Sequence, residues 1–146
     1  MKLVVVCVGK KHDPSLQDAI AEYVKRLSGF CDFAWEIIPA GTVDEESRAI
    51  INRVEGVDFV ALLDETGMSI TSVQLAHSLE TAQNRSYKKV ALIIGGAYGV
   101  NRDVFKRADA TLRLSRLTFP HQLVRLIVVE QLYRAYSILA GSNYHH

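Results

Sequence analysis

Apolar residues in this chain alternate between two rhythms. Residues 3–8 form an unbroken, valine-rich run that stops at Gly9. A run of that kind predicts a strand buried on both faces, as in a parallel sheet. Asp13 followed by Pro14 predicts a helix cap with proline at the first helical position. The helix it opens carries Leu16, Ile20, Tyr23, Val24 and Leu27 on one face. A second strand is expected over 33–38, stopping at Pro39-Ala40-Gly41, and a short helix over 44–55 with Ile50, Ile51 and Val54 turned inward. Residues 59–63 read as a third buried strand that ends in Asp64-Glu65-Thr66-Gly67. Thr71 with Gln74 three residues later is a capping box for a helix bearing Leu75, Leu79 and Ala82. A fourth strand over 90–94 runs into Gly95-Gly96, and Asn101 or Asp103 can cap a short helix to Ala108. A brief fifth strand over 112–114 precedes a long helix over 122–140, stopped by Gly141.

Strict alternation of strand and helix predicts an α/β fold with a mainly parallel sheet flanked by helices. The 146 residues suit a single domain over 1–146. In such sheets ligands bind beyond the carboxyl ends of the strands. Those ends are Gly9-Lys10, residues 39–41, Asp64-Glu65, Gly95-Gly96 and Ser115-Arg116. The last helix is apolar nearly all round, from Leu123 through Ile127 and Leu132 to Leu139. A helix of that kind has to be covered on every side, which predicts a homodimer built on it.

Composition narrows the class. With 49% hydrophobic residues the chain can build a core unaided, and a net charge of +1 gives no global basic signature, so contact with nucleic acid needs a local patch. Cys7 and Cys31 fit no metal spacing, and Cys7 lies in an apolar run as a small core residue. No metal site and no membrane span is expected, and the first residues lack a signal-peptide pattern, so the expected location is the cytoplasm.

Few residues declare chemistry. Gly95, Gly96 and Gly99 follow a strand but lack the dinucleotide-binding spacing, leaving a tight turn and a ligand loop as equal readings. Asp64 stands where a receiver domain carries its phospho-acceptor, yet the acidic pair such a domain needs after the first strand is replaced by Gly9-Lys10-Lys11. His121 follows Phe119-Pro120 as a helix-start residue, and His77 is an exposed mid-helix position. Tyr144, His145 and His146 read by composition as a frayed terminus. Lys10, Lys11, Arg102, Lys106, Arg107, Arg113, Arg116, Arg125 and Arg134 gather near loops, where two subunits could merge them into one phosphate-binding surface.

Five segments together resemble the RlmH family of SPOUT-class ribosomal RNA methyltransferases: KLVVVCVGK at 2–10, PAG at 39–41, LLDETG at 62–67, IIGGAYG at 93–99, and LSRLTFPHQLVRLIVVEQLYRAYSI at 114–138 with the YHH tail. The resemblance runs from end to end. It implies a SPOUT α/β fold with a C-terminal trefoil knot, an obligate homodimer, and S-adenosyl-L-methionine as cofactor. The substrate it implies is large-subunit ribosomal RNA in assembled ribosomes, methylated at N3 of a pseudouridine. The cofactor-binding stretches it implies are Leu63, Gly95, and Leu114, Ser115, Arg116, Leu117, Thr118 and Phe119. Candidate catalytic residues are His145 for proton removal, Arg134 or Arg125 for charge or phosphate contacts, and Tyr144 for stacking on the base. The alternative is a non-catalytic RNA- or ribosome-binding module with the same fold.

Overall fold

A computed structural model of residues 1–146 shows ten elements in strict alternation. They are β1 (Lys2–Val8), α1 (Pro14–Leu27), β2 (Asp32–Ile38), α2 (Val43–Arg53), β3 (Phe59–Ser69), α3 (Ser72–Asn84), β4 (Lys89–Ile94), α4 (Arg102–Arg107), β5 (Ala110–Arg113) and α5 (His121–Leu139). All strand pairs are parallel, in the order β2-β1-β4-β3-β5. Local chemistry sets the helix starts. The Asp13 carboxylate accepts from the Ser15 amide at 2.8 Å, and the Thr71–Gln74 capping box forms. A second capping box, Thr42 with Glu45, starts α2 earlier than the hydrophobic pattern predicts, because the pattern begins only after the cap.

Other boundaries also differ from expectation. β3 does not end at Leu63: residues 64–67 bulge out, so that Leu63 and Met68 both pair with Leu112, and the strand resumes to Ser69. The Asp64 carboxylate accepts from the Thr66 amide at 2.9 Å and closes the bulge. Gly67 is required there, since a Cβ would come within 2.5 Å of the Leu112 backbone. β5 lies two residues earlier than predicted at its start and leaves Leu114 outside the strand, exposed. α5 begins at His121, directly after Pro120.

Successive strand residues point to opposite faces, and the core divides accordingly. Leu3, Val5 and Cys7 pack with Leu27 of α1, with Ala76 and Leu79 of α3, and with Val128, Leu132 and Ala135 of α5. Val4, Val6 and Val8 pack with Ile50 of α2, with Val54 at its C-terminal cap, and with Val104 of α4. Although α5 follows an edge strand, it returns to lie between α1 and α3 over the middle of the sheet. Its inner face is buried, but Leu123, Val124, Leu126, Ile127, Tyr133, Ile138 and Leu139 keep part of their surface open.

The start of α5 also holds the β1–α1 turn. Gln122 accepts from the Asp13 amide at 3.0 Å and donates to the Lys11 carbonyl at 3.3 Å. Arg125, read from the sequence as a phosphate contact, is instead fully buried and donates to the carbonyls of Lys10 (2.8 Å) and Val8 (3.2 Å). Its long side chain reaches inward because one turn of helix places it over the end of β1. The guanidinium also lies 3.2 Å from His12 Nδ1 and 3.5 Å from His121 Nε2, and no carboxylate pairs with it. Both histidines are held below their ordinary value of 6.5, by burial first and by the Arg125 charge second. Burial likewise raises the Cys7 thiol to about 11 despite Arg125.

Two stability outcomes follow from this packing. Leu132→Ala empties the centre of the α5–sheet contact, and a loss of about 2–5 kcal/mol is expected in urea unfolding. A histidine whose folded pKa is depressed leaves stability unchanged above about pH 6.5. Below it, the unfolded chain takes up protons that the fold refuses, and stability declines. The urea midpoint should therefore be flat above that pH and fall beneath it, and His12→Gln should lessen the fall. An identical acid profile in the variant would detach His12 from the effect.

Candidate active site

Strand register assembles the centre of the site. Leu63 pairs with Ile94 on one side and with Leu112 on the other. The chain leaving β4 at Gly95 and the chain leaving β5 toward Leu114 therefore emerge on either side of Leu63. All three predicted cofactor stretches come together at one edge of the sheet, although they lie far apart in sequence. Gly95 and Gly96 open a tight turn that closes by the Gly99 amide donating to the Gly96 carbonyl at 3.0 Å, with Gly99 at φ +77°. A Cβ at Gly96 would meet the Glu46 carboxylate at 2.5 Å, so that side chain would have to shift to admit one. The 114–119 segment is held by the Ser115 hydroxyl accepting from the Leu117 amide at 3.0 Å. Arg116, Leu117 and Thr118 are exposed, and Ser115 and Phe119 are half-buried.

Beside this cluster lies a cavity of about 680 Å³, between α3, α5 and the β3–β5 edge. Leu63, Leu114 and Phe119 contribute to its wall, and Gly95, Ser115, Arg116, Leu117 and Thr118 do not. The wall is largely apolar, with polar groups from Ser72, Gln131 and Arg113. Ser72 donates to Gln131 at 2.6 Å, and Arg113 donates to Ser69 at 2.7 Å. A volume and lining of this kind suit a drug-sized organic ligand. Leu75 of α3, Met68 of β3 and Ile70 between these elements were not foreseen in this wall; for Leu75 the signal was the apolar stripe of α3, which reads equally as core.

The three predicted catalytic residues meet elsewhere, around the second half of α5. The tail is docked, not frayed. The Tyr144 hydroxyl donates to Glu130 at 3.1 Å and lies 3.1 Å from the Tyr23 hydroxyl, and its ring packs edge-on to Tyr133. Burial, with these partners, raises the Tyr144 phenol far above its ordinary value. Arg134 sits 4.9 Å above the Tyr144 ring and forms an ion pair of 2.6 Å with Glu130. Its Nη1 is 3.4 Å from His145 Nδ1, and His145 is exposed. From His121 to Arg134 is thirteen residues of helix, about 20 Å along the axis. Within one chain, the tail cluster and the cofactor stretches are therefore separate. No group of histidine, cysteine and carboxylate side chains is arranged to hold a metal ion, and no helix is long and apolar enough to cross a membrane.

Comparison with known proteins agrees with this architecture. A family model described as "Predicted SPOUT methyltransferase" matches residues 1–145. The chain is 39% identical to ribosomal RNA large subunit methyltransferase H of Christiangramia forsetii over 156 aligned positions, which cover 100% of this chain and 99% of that protein. It is 40% identical to the protein of the same name from Streptococcus thermophilus over 158 positions, covering 99% of each. Among solved structures, a methylase family protein from Haemophilus influenzae superposes with a TM-score of 0.59 at 12% identity, over 99% of this chain and 70% of that one. TrmJ from Z. mobilis gives 0.52 at 12% identity, over 90% and 69%. These two share the fold. The match along nearly the whole chain, over a parallel sheet whose register gathers Leu63, Gly95 and Leu114 at one edge, makes this protein a member of the SPOUT methyltransferase family, an enzyme that transfers a methyl group from a donor.

Proposed function

We propose that the protein is an S-adenosyl-L-methionine-dependent methyltransferase acting in the cytoplasm on N3 of a pseudouridine in large-subunit ribosomal RNA, within assembled ribosomes. The observation that carries this reading is the end-to-end identity of 39–40% with two proteins named ribosomal RNA large subunit methyltransferase H. The residues present fit the donor. Leu63, Gly95 and the 114–119 segment offer apolar side chains and backbone amides and carbonyls at one strand edge, and the adjoining cavity of about 680 Å³ is roomy enough. S-adenosyl-L-methionine supplies a methyl group on a sulfonium, already activated for in-line displacement. The chain's task is then to position donor and acceptor and to exclude water.

The acceptor nitrogen must lose a proton. His145 is exposed and carries an imidazole that can take it, and Arg134 beside it can offset negative charge on the base. Glu130 fixes Arg134 and Tyr144 relative to each other, so the tail cluster acts as one unit. Tyr144 offers an aromatic ring for the base. Since Arg134 lies about 20 Å along α5 from His121, which follows the 114–119 segment and Pro120, the site is completed in a homodimer, where the tail of one protomer reaches the strand ends of the other. The half-open apolar residues of α5, Leu123, Leu126 and Ile127 among them, supply the surface for that pairing. The reading includes the trefoil knot that the resemblance implies.

Transfer of labelled methyl from S-adenosyl-L-methionine to intact ribosomes lacking the modification tests the reading directly; transfer to ribosomes but not to the naked RNA is expected. Thr118→Arg, which adds bulk within the cofactor segment, should abolish cofactor binding by calorimetry in a folded dimer. His145→Ala should lower single-turnover methylation by about 10²-fold or more while leaving cofactor affinity intact. Absence of any cofactor binding by the wild-type protein would favour a non-catalytic ribosome-binding module, and full single-turnover activity in the His145 variant would remove it from the mechanism.

A further inference from the structure

The β1–α1 turn is held more firmly than its own sequence demands. Four backbone groups of this short segment, the carbonyls of Val8, Lys10 and Lys11 and the amide of Asp13, are bonded to Gln122 and Arg125 of α5. Arg125 is wholly buried, has no carboxylate partner, and leaves its Nε without any hydrogen-bond partner. A cation placed so is costly unless the groups around it absorb the charge, and here carbonyls and two neutral histidines do so. What the arrangement achieves is to turn the carbonyls of the segment inward. Lys10 and Lys11 are left exposed, and neither ammonium has a hydrogen bond or an ion pair within the chain.

Their place in the sheet matters. Cys7 pairs with Ile94, so the chain leaves β1 at Gly9 next to the chain leaving β4 at Gly95. On the far side of the cofactor stretches, Arg116 is exposed and also lacks a carboxylate partner. From β1 to β5 is three strand spacings, on the order of 14 Å. An acceptor base must enter between these cations to reach the donor, and the backbone attached to that base must pass over the rim that carries them.

We propose that Lys10 and Lys11 form a phosphate-binding element for the RNA substrate, held in position by Gln122 and Arg125. The element rests on the RNA-methyltransferase reading above and adds to it a defined contact surface. Point charges on flexible stems over a fixed backbone grip phosphates without reading sequence, which suits an enzyme whose net charge of +1 provides no general attraction.

The test is the salt dependence of binding to unmethylated ribosomes by the intact protein. Each of Lys10→Ala and Lys11→Ala should reduce the slope of log affinity against log salt by about one, and the double variant by about two. S-adenosyl-L-methionine affinity and thermal midpoint should not change. Gln122→Ala, which keeps both lysines but releases the outer half of the turn, should raise KM for ribosomes with kcat unchanged; an unaltered KM would overturn the positioning role. An unchanged salt slope in the double lysine variant, or an equal loss of cofactor affinity, would overturn the phosphate contact. If the wild-type protein neither bound nor methylated ribosomes, the RNA reading itself would fall and this element with it. The lysine variants decide the narrower question only where the wild type is active.

Discussion

A parallel sheet has to be covered on both faces, and most of this molecule follows from meeting that demand with short helices. The right-handed crossovers place α2 and α4 on one face. On the other face, α1 and α3 alone would leave the middle strands, β1 and β4, open between them. α5 fills that gap, although it starts from the edge strand β5 and has to return across the sheet. The helix that covers the core therefore has its first turn at the carboxyl ends of the strands and its last turn at the opposite edge. Strand register gathers Leu63, Gly95 and the chain leaving β5, and that helix places much of the rest. Its N-terminal end adjoins the 114–119 segment and clamps the β1–α1 turn, and its C-terminal half docks the tail.

The clamp shows how the same helix couples core and surface. A buried guanidinium is ordinarily paired with a carboxylate, and replacing such a pair by apolar residues is often neutral for stability. Arg125 is satisfied instead by main-chain carbonyls and imidazole nitrogens. The imidazole acceptors are available only when the histidines are neutral, and the Arg125 charge itself helps keep them so. The arrangement is self-consistent near neutral pH and frustrated in acid. It ties the geometry of the β1–α1 turn to the position of α5, and hence to the segment that Pro120 joins to α5.

Much of this was legible in the sequence. Valine-rich runs, caps at Asp13 and Thr71, and glycines after strands yield the element order, since each is a local signal with a local cause. The bulge in β3 was not legible, because polar residues 64–67 look like a strand end until the pairing of Met68 with Leu112 is seen. Arg125 was misread for a related reason. At a helix start near loops an arginine reads as a surface charge, and only the third dimension reveals that its acceptors are the carbonyls of a strand end 115 residues away. The tail was likewise illegible by composition: its order comes from Tyr23, Tyr133 and Glu130, supplied by two different helices.

The separation of the two halves of the site has a mechanistic consequence. A methyl transfer needs donor, acceptor and proton acceptor within contact distance. Within one chain α5 sets Arg134 about 20 Å along its axis from His121, the residue that follows the proposed cofactor segment and Pro120. Moving the tail alone would not suffice, because Arg134 lies on the helix itself and is bonded to Glu130 one turn before it. On this proposal, an apolar helix surface left open in the single chain and a proposed catalytic group at its far end are two aspects of one arrangement. In the homodimer proposed above, pairing two copies through α5 covers the first and brings the second to a strand edge, so that assembly of the dimer and assembly of the proposed active site become the same event.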